Sequence, residues 1–122
     1  MNYDPNDSYH EEWIARRVKK GADLLDEHYV RWEDEIDTTI LSTETTDRCV
    51  LGQIGRSKEL SSGHSDYHDM VPIIFADWTG DANESAQAHG FDIEGGDYWA
   101  EEYHALDIAW LGAIKERKEA HA

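Results

Sequence analysis

Residues 8–29, SYHEEWIARRVKKGADLLDEHY, decide the fold together with a second stretch near the end of the chain. Apolar residues recur in this first stretch every three or four positions, which is the spacing of one face of a helix. These residues are Ile14, Val18, Ala22, Leu25 and Tyr29. Because Ser8 and Glu11 have the spacing of a capping box, we expect a long helix at about residues 8–29. Gly21, inside this pattern, would permit another helix to pack closely.

The second stretch, DYWAEEYHALDIAWLGAIKERK at residues 97–118, has the same periodicity. Asp97 is a suitable N-cap for a helix, and basic residues in its last turns complement the helix dipole. These basic residues are Lys115, Arg117 and Lys118. The predicted buried stripe is Trp99, Tyr103, Leu106, Trp110, Ala113 and Ile114. We therefore predict a second long helix at about residues 97–118.

Shorter elements are expected between the two long helices. A helical turn at Trp32–Asp37 would carry Trp32 and Ile36 inward. The β-branched segment Thr38–Thr43 is either extended or a loop over the core. A further helical turn is expected at Ser85–His89.

The middle of the chain contains one predicted helix and one ambiguous segment. Residues 47–55 predict a short helix that Asp47 caps and Gly55 ends. The expected buried side of this helix is Cys49, Val50 and Ile54. Residues 71–76 are almost continuously apolar, and Pro72 either interrupts a helix there or begins one. Periodicity alone does not decide between a helix and a buried strand for this segment.

These elements indicate a mainly α-helical fold. We expect a compact small helical domain with two long helices and, between them, short helices or an extended segment. The length of 122 residues fits one domain. Residues 1–122 are therefore expected to form a single domain, with frayed ends at 1–7 and 119–122. Much of the core would come from the aromatic residues, which make up 11% of the chain.

The charge of the chain excludes several functions. Asp and Glu number 27 against 11 Lys and Arg, a formal net charge of −16. We expect no direct binding to nucleic-acid phosphates and repulsion from anionic membranes. No apolar run approaches the roughly 20 residues of a transmembrane helix. With one cysteine, Cys49, the chain has no intramolecular disulfide, and a cytoplasmic location is expected.

The acidic residues are unevenly distributed. Residues 59–114 contain no Lys or Arg. Twelve carboxylates lie in this interval: Glu59, Asp66, Asp69, Asp77, Asp81, Glu84, Asp92, Glu94, Asp97, Glu101, Glu102 and Asp107. Their ion pairs must therefore come from elsewhere in the chain, and a binding role depends on whether they share one face.

Catalytic and metal-binding motifs are weak. His64 and His68 have the four-residue spacing of helical metal ligands, but the sequence fixes no third ligand. We expect surface histidines here, with no bound metal and no cofactor. Cys49 near a helix start could be a nucleophile, but its apolar neighbours favour a small buried core residue. The glycines near Gly52 do not have the spacing of a phosphate-binding loop.

Several short motifs together resemble a known group of proteins. They are Gly21-Ala22-x-x-Leu25-Asp26-Glu27 with Trp32 and Ile36-Asp37, then Cys49-Val50-Leu51-Gly52-Gln53, then Gly90-Phe91 with Tyr103-x-x-Leu106-x-x-Ala109-Trp110. This composite, over about residues 18–117, resembles small proteins encoded by actinobacterial phages and their hosts. The resemblance implies a phage or mobile-element origin and an intracellular setting, and it implies no activity. Pro72 and the acidic loop at residues 77–84 depart from the pattern.

We expect a non-enzymatic, phage-type accessory protein that binds a host protein with a basic surface. Its expected interaction surface is Asp66, Asp69, Asp77, Trp78, Asp81, Glu84, Asp92, Glu94, Glu101 and Glu102. One alternative is a DNA mimic whose carboxylates occupy the basic groove of a host defence or nucleic-acid-binding enzyme. Another is a small metal-dependent enzyme or metal-binding protein that uses His64 and His68. The expected location is the cytoplasm of an infected bacterium, and a homodimer stays open.

Overall fold

The computed structural model describes residues 11–58, 67–76 and 78–121. Within these ranges the chain forms helices and turns and contains no strand. The helices are α1 (Glu11–His28), α2 (Val50–Lys58), α3 (Tyr67–Ile74), α4 (Ala82–Ala88) and α5 (Trp99–Ala120), with a 3₁₀ turn at Trp32–Glu35. The prediction of a mainly helical chain with two long helices is confirmed.

The two long helices pack side by side in parallel. Near the start of both helices, Arg17 of α1 binds Glu102 of α5. Near their ends, Asp26 of α1 binds Arg117 of α5. Since the partners advance in the same direction along both helices, the N-termini of α1 and α5 lie at the same end of the molecule.

Two tryptophans occupy the centre of the core. Trp32 and Trp110 are fully buried, and their rings meet edge to face with centroids 5.9 Å apart. Each indole nitrogen donates a hydrogen bond, from Trp32 to the Asp26 carboxylate at 2.8 Å and from Trp110 to the Gly90 carbonyl at 2.7 Å. Burying these rings removes a large apolar area from water without leaving their N–H groups unpaired. The inward orientation predicted for Trp32 is confirmed.

Gly21 marks the closest approach between two parts of the chain. A Cβ atom added there would lie 2.0 Å from the His89 carbonyl oxygen and 3.0 Å from the Trp110 ring. Close packing at Gly21 was predicted. The backbone that approaches belongs to the turn after α4, and α5 contributes the Trp110 ring. Gly90 in the same turn adopts a positive φ of 75°, which glycine tolerates best.

The ambiguous segment at residues 71–76 is helical for its first part and then forms a turn. Helix α3 ends at Ile74 and contains Pro72. Pro72 has no N–H to donate to the carbonyl of His68, but both residues are exposed, so water can replace the lost partner. On the other side of the segment, Val71, Ile74 and Phe75 are buried. Burial of this face explains why the helix tolerates proline.

The predicted boundaries of two helices are wrong. Helix α2 begins at Val50, after the turns of residues 43–49, and not next to the predicted cap at Asp47. It continues past Gly55, which is buried inside the helix, to Lys58. Helix α5 begins at Trp99, and Tyr98 rather than Asp97 occupies its N-cap position, without a side-chain cap. The α5 helix also extends to Ala120, two residues beyond the predicted end. Residues 1–7 lie outside the described ranges, as does Ser8 of the predicted capping box.

The segment Thr38–Thr43 is a loop. It consists of turns and is anchored to α5 at Thr43, whose backbone N–H and hydroxyl both donate to Asp107 at 2.7 Å. At its other end, the Gln53 side chain of α2 accepts a hydrogen bond from the Asp37 N–H at 2.6 Å. These polar anchors satisfy backbone groups that an extended segment would have paired with a strand.

Candidate interaction surface

The ten residues of the predicted interaction surface differ in their exposure to solvent. Those that are exposed are Trp78, Asp81, Glu84, Glu94 and Glu101. Asp69 and Asp92 are half-buried. Glu102 is fully buried, and Asp66 and Asp77 lie outside the described ranges. The predicted surface is therefore broken by at least one side chain that no partner can reach.

Glu102 was predicted on the surface, and this prediction is wrong. Its carboxylate accepts a hydrogen bond from Arg17 Nη1 at 2.9 Å, and Arg17 itself is 1% exposed. The same carboxylate accepts from the backbone N–H groups of Glu94 at 2.5 Å and Gly95 at 3.2 Å. A buried carboxylate needs such partners because burial removes its hydration. Glu102 occupies the place in the buried stripe of α5 that was assigned to Trp99.

The guanidinium of Arg17 completes this buried network. Its Nε donates to the Gln87 carbonyl at 2.9 Å, and its Nη2 donates to the Asp92 carbonyl at 2.5 Å. The network therefore ties the end of α4 and the loop before α5 to the first turns of both long helices. Arg17 Nη1 also lies 3.5 Å from the Glu94 carboxylate, so this one guanidinium forms ion pairs with two carboxylates of the acidic interval.

Other carboxylates of the interval also have structural roles. Asp81 caps α4 by accepting from the N–H groups of Asn83 at 2.8 Å and Glu84 at 3.3 Å. Asp107 binds Thr43 and closes the loop over α5. Together with the burial of Glu102, these roles show that the described carboxylates of the acidic interval do not form one continuous exposed row.

Trp78 is 46% exposed and is held in a fixed orientation. Its ring meets Phe75 and His89 edge to face, at centroid distances of 5.5 and 4.8 Å. Burial lowers the pKa of His89, and Nδ1 of His89 lies 2.7 Å from the Ser85 carbonyl, which fixes the ring. Trp78 is thus a rigid, half-exposed aromatic residue, in agreement with the prediction that it lies near the surface.

Exposed acidic residues from two parts of the chain lie together where α1 and α5 begin. We call this region the acidic end and define it by the exposed carboxylates Glu11, Glu12, Glu94, Asp97 and Glu101 with the aromatic residues Trp13, Tyr98 and Trp99. The Trp13 indole N–H donates to the Glu94 carboxylate, which joins the first turn of α1 to the loop before α5. The parallel packing of α1 and α5 brings these residues together.

Two aromatic side chains are exposed at the acidic end. Tyr98 is 55% exposed and Trp99 is 50% exposed. They follow Gly95 and Gly96, which have φ values of 96° and 105° and turn the chain into α5. The Trp99 ring also meets Tyr103 edge to face at 6.4 Å, which orients it. Sequence reasoning assigned Trp99 to the core. Periodicity gave no signal against this assignment, since at about 100° per residue Trp99 lies on the side of Leu106 and Trp110.

The described residues contain no assembled metal site, and the cysteine is buried. Within residues 11–58, 67–76 and 78–121, no group of three His, Cys, Asp or Glu side chains is placed to hold a metal ion. His68 is exposed and contacts the Tyr67 ring, while His64 lies outside these ranges. Burial raises the pKa of the Cys49 thiol to about 12. Cys49 is therefore protonated at neutral pH and lies in the core, as its apolar neighbours predicted.

Comparison with known proteins gives no relative from which a function could be transferred. The chain matches no protein-family model, no curated protein and no solved structure. Among the helices of the described ranges, none combines the length and the apolar character needed to cross a membrane. The arrangement of exposed side chains is therefore the basis for any functional assignment.

Proposed function

We propose that this chain is a non-catalytic binding protein whose acidic end engages a basic surface on a partner protein. The observation that carries the proposal is the exposure of Tyr98 and Trp99, about half of each side chain, between the carboxylates Asp97 and Glu101. Acidic residues alone are common at helix N-termini, where they stabilise the helix dipole. The exposed fractions of Tyr98 and Trp99 leave both aromatic side chains accessible to a partner.

The pairing of aromatic and acidic side chains suits a partner rich in arginine. Tyrosine and tryptophan dominate binding energy at protein interfaces because they bury large areas with few rotatable bonds. An arginine from the partner can lie over the Trp99 ring and bind a neighbouring carboxylate with its guanidinium. Both interactions strengthen as water is excluded from the interface.

Long-range electrostatics supports the same partner. The chain has a net charge of −16, and the acidic end contains five exposed carboxylates. Arg17, at the base of this region, is buried and pairs with Glu102 and with Glu94, which is one of these five carboxylates. A basic partner would therefore be attracted over a distance of about one Debye length, and its association would be fast and salt-dependent.

The resemblance to actinobacterial phage proteins supports a host factor in the bacterial cytoplasm as the partner. A DNA mimic, the alternative proposal, relies on the same negative charge but needs a row of carboxylates spaced like phosphates. The described carboxylates favour the first proposal over the DNA mimic, since Glu102 is buried and Asp107 is bound to Thr43.

The test is capture of a partner from an actinobacterial lysate, followed by affinity measurements with the purified partner. Tyr98→Ala combined with Trp99→Ala should weaken binding at least about tenfold, which corresponds to about 1.4 kcal/mol. Trp78→Ala is the matched control, because Trp78 is equally exposed but belongs to a different region. Binding should also weaken at least about tenfold between about 50 and 300 mM salt. Affinity that is independent of salt, or that depends on Trp78 alone, would contradict the proposal.

A further inference from the structure

The outward face of α5 carries a row of exposed side chains with heptad spacing. The row, which we call the α5 seam, consists of Glu101, His104, Ile108, Leu111, Lys115 and Lys118. Successive members are separated by three and four residues in strict alternation. This 3.5-residue repeat is the spacing of the contact positions in coiled coils. The buried residues of α5, such as Leu106 and Trp110, lie on the opposite side of the helix.

The centre of the α5 seam is apolar and its two ends have opposite charges. Ile108 is 57% exposed and Leu111 is 40% exposed. The seam begins with the carboxylate of Glu101 and ends with the ammonium groups of Lys115 and Lys118. A surface with an apolar centre and opposite charges at its ends is complementary to itself when one copy is turned around.

We propose that the α5 seam is a self-association surface on which a second copy of this chain packs its own α5 antiparallel to the first. A two-fold axis that passes between Ile108 and Leu111 places Ile108 of each copy opposite Leu111 of the other copy. The same axis places Glu101 opposite Lys118 of the second copy. It also places His104 opposite Lys115, where the imidazole can accept a hydrogen bond from the ammonium group. One interface therefore contains two copies of each contact, as two-fold symmetry requires.

The parallel arrangement does not have this complementarity. In parallel helices Glu101 would face Glu101 and Lys118 would face Lys118 of the other copy. Like charges at such positions disfavour the pairing. The distribution of charge along the α5 seam thus selects both the partner, a second copy, and its direction.

The structure leaves room for close packing along the seam. A Cβ atom added at Gly112, next to Leu111, would find no heavy atom within 4 Å. A surface groove lined by Thr38, Leu111, Lys115 and Lys118 borders the same face. Lys118 is also within electrostatic range of Asp37, whose pKa is lowered chiefly by a hydrogen bond from Thr39.

This surface is separate from the aromatic part of the acidic end. At about 100° per residue, Trp99 projects from the opposite side of α5 from Ile108. Glu101 is the residue that both surfaces share. Because self-association does not need Tyr98 and Trp99, substitutions at these two residues test the proposed function without changing the α5 seam.

The first test is sedimentation of the full chain from about 10 μM to about 1 mM at about 150 mM salt, where the Debye length is about 8 Å. The proposal predicts a monomer–dimer equilibrium for the natural sequence. Ile108→Glu and Leu111→Glu should each raise the dimer dissociation constant at least about tenfold. Val30→Glu is the matched control, since Val30 is 84% exposed outside the seam and the substitution adds the same charge. A chain that stays monomeric at the highest concentration, or a Val30→Glu effect equal to the others, would overturn the proposal.

The second test is a charge exchange that also determines direction. Glu101→Lys changes the net charge from −16 to −14, and Lys118→Glu changes it from −16 to −18. Each single change should weaken the dimer, since each places like charges opposite one another. The double variant returns the net charge to −16 and restores the antiparallel pair, so the affinity should recover. If Glu101→Lys strengthens association, net-charge repulsion explains the data, and the proposed pairing is wrong. Failure of the double variant to recover would likewise overturn it.

Discussion

The buried ion pair between Arg17 and Glu102 gives the sharpest prediction for stability. In Glu102→Gln, the volume is kept but the negative charge is lost, and Arg17 stays buried. Breaking one side of a buried pair costs about 3–5 kcal/mol because the remaining charge is uncompensated. Glu94 lies 3.5 Å from Arg17 and is partly exposed, so it can offset some of this loss. We therefore expect the lower end, about 3 kcal/mol, out of a total of about 5–15 kcal/mol for a domain.

The measurement is urea unfolding followed by tryptophan fluorescence and by far-ultraviolet circular dichroism. The midpoint should fall without a change in the slope, and the melting temperature should fall by roughly 10–15 °C. Glu101→Gln is the control because this neighbouring carboxylate is exposed, and its effect should stay within about 0.5 kcal/mol. The protein concentration is kept low so that self-association does not contribute. If the two variants unfold at the same urea concentration, the assigned role of Glu102 is refuted.

Three further predictions concern single sites. Gly21→Ala should destabilise the protein by at least about 2 kcal/mol, because its Cβ would lie 2.0 Å from a backbone oxygen. Gly112→Ala, in open space on a helix, should stabilise the protein by up to about 1 kcal/mol. Thermal melts measure both changes. The Cys49 thiol, with a pKa raised to about 12 by burial, should react with a thiol reagent at pH 8 only as fast as the protein opens; rapid reaction of the native protein would contradict its burial. Burial lowers the pKa of His89 in the folded state. The contribution of His89 to stability is therefore present above about pH 6.5 and is lost as the pH falls through the pKa of the folded state. His89→Gln should remove this part of the pH dependence in urea unfolding.

Most of the helical architecture could be predicted from local sequence patterns. The three- and four-residue spacing around Val18 and around Trp110 defines the long helices, because helical periodicity is a property of neighbouring residues. Boundaries were less accurate. Asp97 had the right chemistry for an N-cap, but residues 97 and 98 form a turn and α5 begins at Trp99.

The candidate surface was only partly predictable. The exposure of Trp78, Glu94 and Glu101 agrees with the sequence analysis, whereas Glu102 is buried and Trp99 is exposed. Helical periodicity allowed either Trp99 or Glu102 to face the core near the start of α5. Glu102 is buried because of Arg17, which lies 85 residues earlier in the chain and whose positive charge compensates the buried carboxylate.

By itself, the sequence determined the helical class, the net charge of −16 and the absence of Lys and Arg from residues 59–114. These are properties of composition and of local spacing, which the chain has before it folds. Only the tertiary structure decided which carboxylates reach solvent and which end of the molecule they occupy. The physical reason is that a charge can be buried only where a distant partner compensates it. The parallel packing of α1 and α5 brings that partner, Arg17, to Glu102 and leaves the acidic end exposed.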